Sequence, residues 1–327
     1  MDPFLTTLPD PFSIRTACRT VIQRARWVSL DFSALPTLAD RLPHPLPNLP
    51  AWDHPLHWRG TPEQTANYVL LLDALNFCFW GEPRWQVEYD GRTYDGYWAL
   101  AASLRRALDR GLPLWDPHFL SRLTDAEITA LFAGQGTIPL LEWRIRHVRE
   151  IARGLIEHCR GSFATLIAAA GGSSIELVRL VVDTFPSFDD VATYDGQRVP
   201  FYKRAQLLCT DLAGAFRGTG LGCFHDLDLL TAFADYKLPQ VLRAFGVLRY
   251  HPELAVRIDA RQEIPAGSPE EVEIRAATVL AVDALTLSLR TRGLPAAPWR
   301  VDWALWQLGQ NLPPDAPPYH RTRSRFY

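Results

Sequence analysis

Between residues 67 and 80, Tyr68, Leu71, Leu72, Leu75 and Phe79 recur at i, i+3, i+4, i+7 and i+11. That spacing follows the turn of an α-helix and not the two-residue alternation of a strand, so it lays one apolar stripe along a helix. The same period returns in Ile145, Val148, Ile151, Ala152, Leu155, Ile156 and Cys159, closed by Gly161, and in Ala205, Leu208, Leu212 and Phe216. Further helices are predicted over 14–27, 239–245, 269–290 and 299–309. Two more announce their starts through Ser/Thr-x-x-Glu capping boxes, Thr124 with Glu127 and Ser173 with Glu176, and end at Gly134 and Pro186. Alternation appears in 86–98, where Val87 and Tyr89 precede Asp90-Gly91 and then Thr93 and Tyr94, the signature of a hairpin with a two-residue turn. A proline-dense stretch over 43–50 reads as a surface connector. The expected architecture is mostly α, an irregular globular helical assembly with one small β-hairpin and no internal repeat.

Composition narrows the function. With 47% hydrophobic and 21% charged residues the chain is a folded protein, and 327 residues suffice for one large domain or two smaller ones. A net charge of -2 supplies no general field for a long polyanion, so a small ligand is expected and not a stable nucleic-acid complex. The start Met1-Asp2-Pro3-Phe4 lacks a basic segment leading into an apolar one, and no run reaches the roughly 20 apolar residues that span a bilayer; a cytoplasmic location without membrane association is expected. The cysteines Cys18, Cys78, Cys159, Cys209 and Cys223 form no CxxC pair and are read as reduced, buried groups. No HxH or HExxH pattern occurs, and His54 with His57 is a lone i, i+3 pair, so no metal site is expected.

Four constellations are able to carry chemistry. On the helix expected over 67–80, Asp73, Asn76, Phe77 and Trp80 fall on a second face, either a helix buried on both sides or the wall of a base pocket in which aromatic rings stack a heterocycle. Lys203 and Arg204 sit in the first turn of the helix over 202–216, against the usual preference for acidic residues there; they are either solvated or suited to an anion. Asp235 precedes Pro239, which is placed as a first helical residue, so the carboxylate is either an N-cap or, flanked by Ala232, Phe233 and Ala234, a group lining a cleft. Arg321, Arg323 and Arg325 alternate at the C-terminus and, if extended, point to one side as a phosphate clamp would; if disordered they form an ordinary basic tail.

These segments resemble the queuosine salvage proteins, the queuosine 5'-phosphate N-glycosylase family. The strings that carry the resemblance are Leu75-Asn76-Phe77-Cys78-Phe79-Trp80, Tyr94-Asp95-Gly96-Tyr97-Trp98, Phe201-Tyr202-Lys203-Arg204-Ala205-Gln206, Phe233-Ala234-Asp235-Tyr236-Lys237-Leu238-Pro239-Gln240, Glu271-Val272-Glu273-Ile274-Arg275 and His320-Arg321-Thr322-Arg323. The resemblance implies a single domain over 1–327, similar in overall fold to the helix-hairpin-helix DNA glycosylases. It also implies hydrolysis of queuosine 5'-monophosphate to queuine with water as nucleophile and no metal or redox cofactor. It makes Asp235 the catalytic carboxylate and Lys203 an active-site cation. Asn76, Phe77, Trp80, Tyr97 and Tyr236 become candidates for the base and ribose, and Arg321 and Arg323 for the phosphate; the cationic Lys203-Arg204 pair makes Arg204 a further candidate for binding a charged substrate. A DNA or RNA base glycosylase and a non-catalytic nucleotide- or tRNA-binding protein are the alternatives.

Overall fold

A computed structural model describes residues 8–48 and 52–327; the first four residues and Pro50 of the proline-dense stretch lie outside them. Two compact units emerge, one built from residues up to Asn48 with Asp190–Lys203 and Asp226–Arg323, the other from the segments up to Asp189, Arg204–His225 and Ser324–Tyr327.

The first unit is organised on the helix Pro269–Thr291, capped by Ser268, with Pro269 at its start where a missing N–H costs nothing. Val272, Ile274, Ala276, Ala277, Val279, Ala281, Val282 and Leu285 are buried, so it is apolar all round, as a central core helix must be. Helices Ile14–Arg24, Leu35–Ala39, Lys237–Ala244 and Pro298–Gln310 pack on it. Where a polar group enters this core it is satisfied by backbone groups and by paired side chains. Glu273 accepts the N–H groups of Arg26, Trp27 (2.7 Å) and Val28 and the hydroxyl of Tyr194 (2.8 Å), which ends the Ile14–Arg24 helix and turns the chain into the strand Val28–Leu30. Arg15 pairs with Asp283 at 2.9 Å and donates to the carbonyls of Leu229 and Leu230, anchoring the approach to Asp235.

In the second unit the helix Pro62–Ala74 begins with a complete capping box between Thr61 and Gln64 and is buried from Thr65 to its end. The long helix Leu141–His158 packs against it, as do Gly96–Asp109 and Ala164–Ala169, while Asp125–Leu131 packs on Leu141–His158 and Ser174–Thr184 on Ala164–Ala169. The Thr124 box forms in full; at Ser173 the hydroxyl accepts the Glu176 N–H.

Strands are short and antiparallel. The expected hairpin forms from Gln86–Tyr89 and Arg92–Asp95, with Asp90 and Gly91 both at positive φ, as a primed turn requires. Beyond it the first unit holds a second hairpin, Val191–Tyr194 with Gln197–Pro200 around Asp195-Gly196, and a non-local ladder in which Val28–Leu30 faces Leu248–Tyr250.

Three sequence expectations need correction. The helix predicted over 67–80 runs instead from Pro62 and stops at Ala74, so Asn76, Phe77 and Trp80 are not on a helical face with Asp73. The cause is tertiary: the Ala74 carbonyl, which the Cys78 N–H would take in a continued helix, is held by Arg204 and His147, the Cys78 N–H goes instead to the Tyr327 carbonyl at 2.8 Å, and the buried guanidinium of Arg144 takes the carbonyls of Leu75, Phe77 and Cys78. Pro239 is the third residue of Lys237–Ala244, still within the first turn where its missing donor is harmless. Cys223 is exposed, unlike the other four cysteines. Residues 43–48 carry no helix or strand; Pro43, His44 and Pro45 are exposed, whereas Leu46 is buried in the core of the first unit.

Candidate active site

The segment from Thr231 to Tyr236 enters the helix Lys237–Ala244 without regular structure and is held at successive points. The Phe233 N–H donates to Asp302 Oδ1 at 2.9 Å, and the Ala234 carbonyl accepts from Arg275 Nε at 3.1 Å. Asp235 Oδ1 then accepts the N–H groups of Lys237 (2.7 Å) and Leu238 (3.0 Å), capping the helix. Oδ2 has no hydrogen-bond partner among the described residues. Asp235 therefore caps the helix with one oxygen, the first of the two sequence readings, and its other oxygen takes no part in the cap.

Burial pushes the Asp235 carboxyl above the ordinary aspartate range, opposed by Lys203, by the two capping N–H groups and by Lys237. Asp302, on the helix Pro298–Gln310, was not singled out by the sequence. Burial, and the Asp235 charge beside it, drive its carboxyl well above the ordinary range, against the Phe233 N–H and Lys203. Two like charges in a low-dielectric setting resist joint ionisation, so Asp302 holds its proton to higher pH while Asp235, capped by N–H groups, carries the charge.

Lys203 opens the helix Lys203–Ala215 with its side chain buried, and its backbone N–H donates to Asp190 Oδ2 at 3.1 Å. Asp190 is in turn gripped by both terminal nitrogens of Arg275, at 2.9 and 2.6 Å. Tyr236 follows Asp235 with its ring 4.9 Å from that of Tyr319. Arg321 is half-buried and its carbonyl accepts the Ile264 N–H at 2.7 Å, while Arg323 is exposed and pairs with Glu263 at 3.1 Å. The terminal segment is thus docked along residues 263–264, with Thr322 and Ser324 turned inward.

The remaining expected residues belong to the second unit. Phe77 is buried under the Arg144 guanidinium, 4.2 Å from the ring centroid, and Asn76 and Trp80 are buried in the same segment. Arg204 is not an open cation at a helix start. It is turned into the core, donating to the carbonyls of Ala74, Asp73 and Ser187 between the rings of Phe77 and Phe188. Tyr97 lies 2.8 Å through its hydroxyl from His57 Nε2; burial and then the Asp211 and Asp73 carboxylates keep that hydroxyl protonated. Burial also lowers His57 to about 4, leaving a neutral imidazole stacked on Trp52. The His54/His57 pair, weighed in the sequence for metal binding, is part of an aromatic cluster with Trp98. Among the described residues no three His, Cys, Asp or Glu side chains are grouped to hold a metal, and no helix is long and apolar enough to cross a membrane.

The carboxyl pair sets a pH-dependent stability. A carboxyl raised by folding contributes stability in full below its unfolded value and loses it as pH rises through the folded value. Asp302→Asn keeps an oxygen for the Phe233 N–H but has no charge to bury. Its melting temperature relative to wild type is therefore expected to rise as pH is taken from about 5 to about 9. A constant deficit across that range in thermal melts would mean that Asp302 acts as an ionised cap.

The profile of the family described as queuosine salvage protein matches residues 56–327. A relative from Sphaerobacter thermophilus, named queuosine 5'-phosphate N-glycosylase/hydrolase, is 52% identical over 318 residues, covering 97% of this chain and 98% of its own. Proteins with the same name from Mus musculus and Dictyostelium discoideum are 34% and 39% identical, covering 97% and 81% of this chain and 99% and 79% of their own. By these matches, spanning nearly its whole length, the chain belongs to the queuosine salvage protein family.

Proposed function

We propose that the chain is an N-glycosidase that hydrolyses queuosine 5'-monophosphate, releasing queuine for tRNA modification. The observation that carries the chemistry is the divided role of Asp235, whose Oδ1 is fixed by two backbone N–H groups and whose Oδ2 remains for the substrate. Breaking the ribosyl C1'–N bond sends its electron pair to the base and leaves an oxocarbenium-like sugar. A carboxylate beside C1' stabilises that charge or takes a proton from the water that adds to C1'. That proton ends on the ring nitrogen that left, so the products are the neutral free base and ribose 5-phosphate, with Asp235 ionised again. Lys203 lowers the cost of ionising the buried Asp235, which is the form both roles require. The deazaguanine base has no N7 lone pair to protonate, so stabilising the cationic sugar carries more of the barrier than it does for ordinary purines. Water is the only co-reactant this balance requires.

The base and ribose roles of Asn76, Phe77, Trp80, Tyr97 and Tyr236 rest on the resemblance. So do the single catalytic domain over 1–327, the likeness to helix-hairpin-helix glycosylases, the cytoplasmic setting and the absence of a stable nucleic-acid complex. The 5'-phosphate is assigned to Arg321 and Arg323. For Arg323 this means exchanging an exposed pair with Glu263, and such surface pairs are worth about 0–1 kcal/mol, so a phosphate can displace it.

The test offers purified protein queuosine nucleoside, its 5'-monophosphate and queuosine-containing tRNA, and follows free base by mass spectrometry. Release is expected from the monophosphate, with kcat/KM about 10- to 100-fold above the nucleoside, the worth of one well-ordered charged contact. Equal values would remove the phosphate contacts; release from tRNA alone would favour a nucleic-acid glycosylase, and binding without release a non-catalytic protein.

A further inference from the structure

We propose that Arg275 and Asp190 form a positioning pair that fixes the backbone of Asp235 against that of Lys203. The inference rests on the catalytic reading of Asp235 and Lys203 given above.

Arg275 projects from the central helix Pro269–Thr291 and is almost fully buried, as is Asp190. Its planar fork is used on both sides. Nη1 and Nη2 hold Asp190 Oδ1 and Oδ2 at 2.9 and 2.6 Å, while Nε holds the carbonyl of Ala234, the residue before Asp235, at 3.1 Å. Asp190 passes the connection on. Its Oδ2 accepts the N–H of Lys203 at 3.1 Å, and its own carbonyl accepts the N–H groups of Phe201 (2.9 Å) and Tyr202 (3.2 Å). Four hydrogen bonds thus link the peptide preceding the carboxylate to the amide of the cation, and the Phe201 ring covers the guanidinium at 3.9 Å.

The pair is a costly choice for stability alone. Removing two charges from water carries a penalty that apolar residues of the same volume avoid, and buried pairs are retained most clearly where they specify geometry. Tyr202, immediately before Lys203, is a non-glycine residue at φ +48, a conformation that persists only when its surroundings enforce it; the Asp190 carbonyl on its N–H is one such restraint. Arginine is required in place of lysine because a single point charge cannot hold a carboxylate in two places and a carbonyl in a third.

The experiment compares Arg275→Lys, Asp190→Asn and the double variant with wild type and with Asp235→Asn, using single-turnover release of queuine from queuosine 5'-monophosphate, substrate titration and thermal melts. Asp190→Asn is isosteric and still accepts the Lys203 N–H. Each single variant is expected to lower kcat about 10- to 100-fold with KM within about threefold, as misplacing a reacting group does. The double variant should be no slower than the slower single, since both act through one linkage. Turnover within about twofold of wild type in either folded variant overturns the inference. Loss of folding in Asp190→Asn also overturns it, because the pair would then hold the fold and not the spacing of two side chains. The control separates the two claims: an active Asp235→Asn removes the catalytic reading, whereas an inactive Asp235→Asn beside a fully active Arg275→Lys removes the positioning pair alone.

Discussion

Asp235→Asn is expected to lower kcat by roughly 10²–10⁴ while leaving fold and substrate binding nearly unchanged. Asn retains an oxygen for the Lys237 and Leu238 N–H groups, so the start of the Lys237–Ala244 helix stays capped. What disappears is the negative charge at the second oxygen, felt in the transition state more than in the ground state, so the loss falls on kcat and not on affinity. The wild-type acid limb supplies an independent check. Because folding raises the Asp235 carboxyl, activity that needs its ionised form should fall away at a pH above the ordinary aspartate value of about 3.9, and the residual activity of Asp235→Asn should lack that limb. Single-turnover queuine release across pH, beside calorimetric titration of the monophosphate and a melt, measures all three quantities. A variant that melts like wild type and turns over within a few fold of it leaves Asp235 a helix cap only.

What the sequence disclosed follows from how local each cause is. The helix starts at Thr124 and Ser173 were legible because a capping box is written within four residues, and the 86–95 hairpin because Asp-Gly forces its own turn. Asp195-Gly196 carries the same turn signal between strands of the same length, but Val191-Ala192-Thr193-Tyr194 and Gln197-Arg198-Val199-Pro200 lack a clear alternation of apolar and polar residues, so the turn alone does not announce a hairpin. The pairing of Val28–Leu30 with Leu248–Tyr250 joins segments more than two hundred residues apart, and nothing in either segment names the other. The helix end at Ala74 was hidden for a related reason. Apolar periodicity runs on to Phe79, but the Ala74 and Leu75 carbonyls that would sustain it are claimed by Arg204, His147 and Arg144, and the Cys78 N–H by the Tyr327 carbonyl.

The candidate site divides in the same way. Asp235 was legible because a carboxylate between apolar residues at a helix start is locally unusual. Asp302 was not, because one aspartate within the helix Pro298–Gln310 looks like any solvated position until Phe233 and Asp235 are placed beside it. Asp190 and Arg275 stand 85 residues apart, and Arg275 entered the sequence reading only as part of a matching string. Charge at the Lys203 helix start was read as one cationic patch, whereas successive residues point to different tasks: Lys203 acts on the carboxyl pair, and Arg204 is consumed by backbone carbonyls.

That second task sets the largest expected loss of stability. Arg204→Met should destabilise the protein by about 2–5 kcal/mol, although Met fills much of the same apolar space between Phe77 and Phe188. The guanidinium is almost fully buried and donates to Ala74 and Ser187, with Asp73 at 3.3 Å, so its removal leaves carbonyls at the end of the Pro62–Ala74 helix with fewer donors in a place water does not reach. The Ala74 carbonyl retains one partner, His147 Nδ1 at 2.9 Å. A positive group there also complements the negative end of the helix macrodipole, and that contribution goes as well. His147 reports the change. Burial, then Arg204, holds it down at about 3, so removing the arginine should move its titration upward, which NMR of the imidazole would follow. Urea unfolding is expected to show a lower midpoint with an unchanged slope, the mark of lost native stability and not of an altered unfolded state. If Arg204 instead contacts the substrate phosphate, the midpoint will stay in place and affinity for the monophosphate will fall relative to the nucleoside.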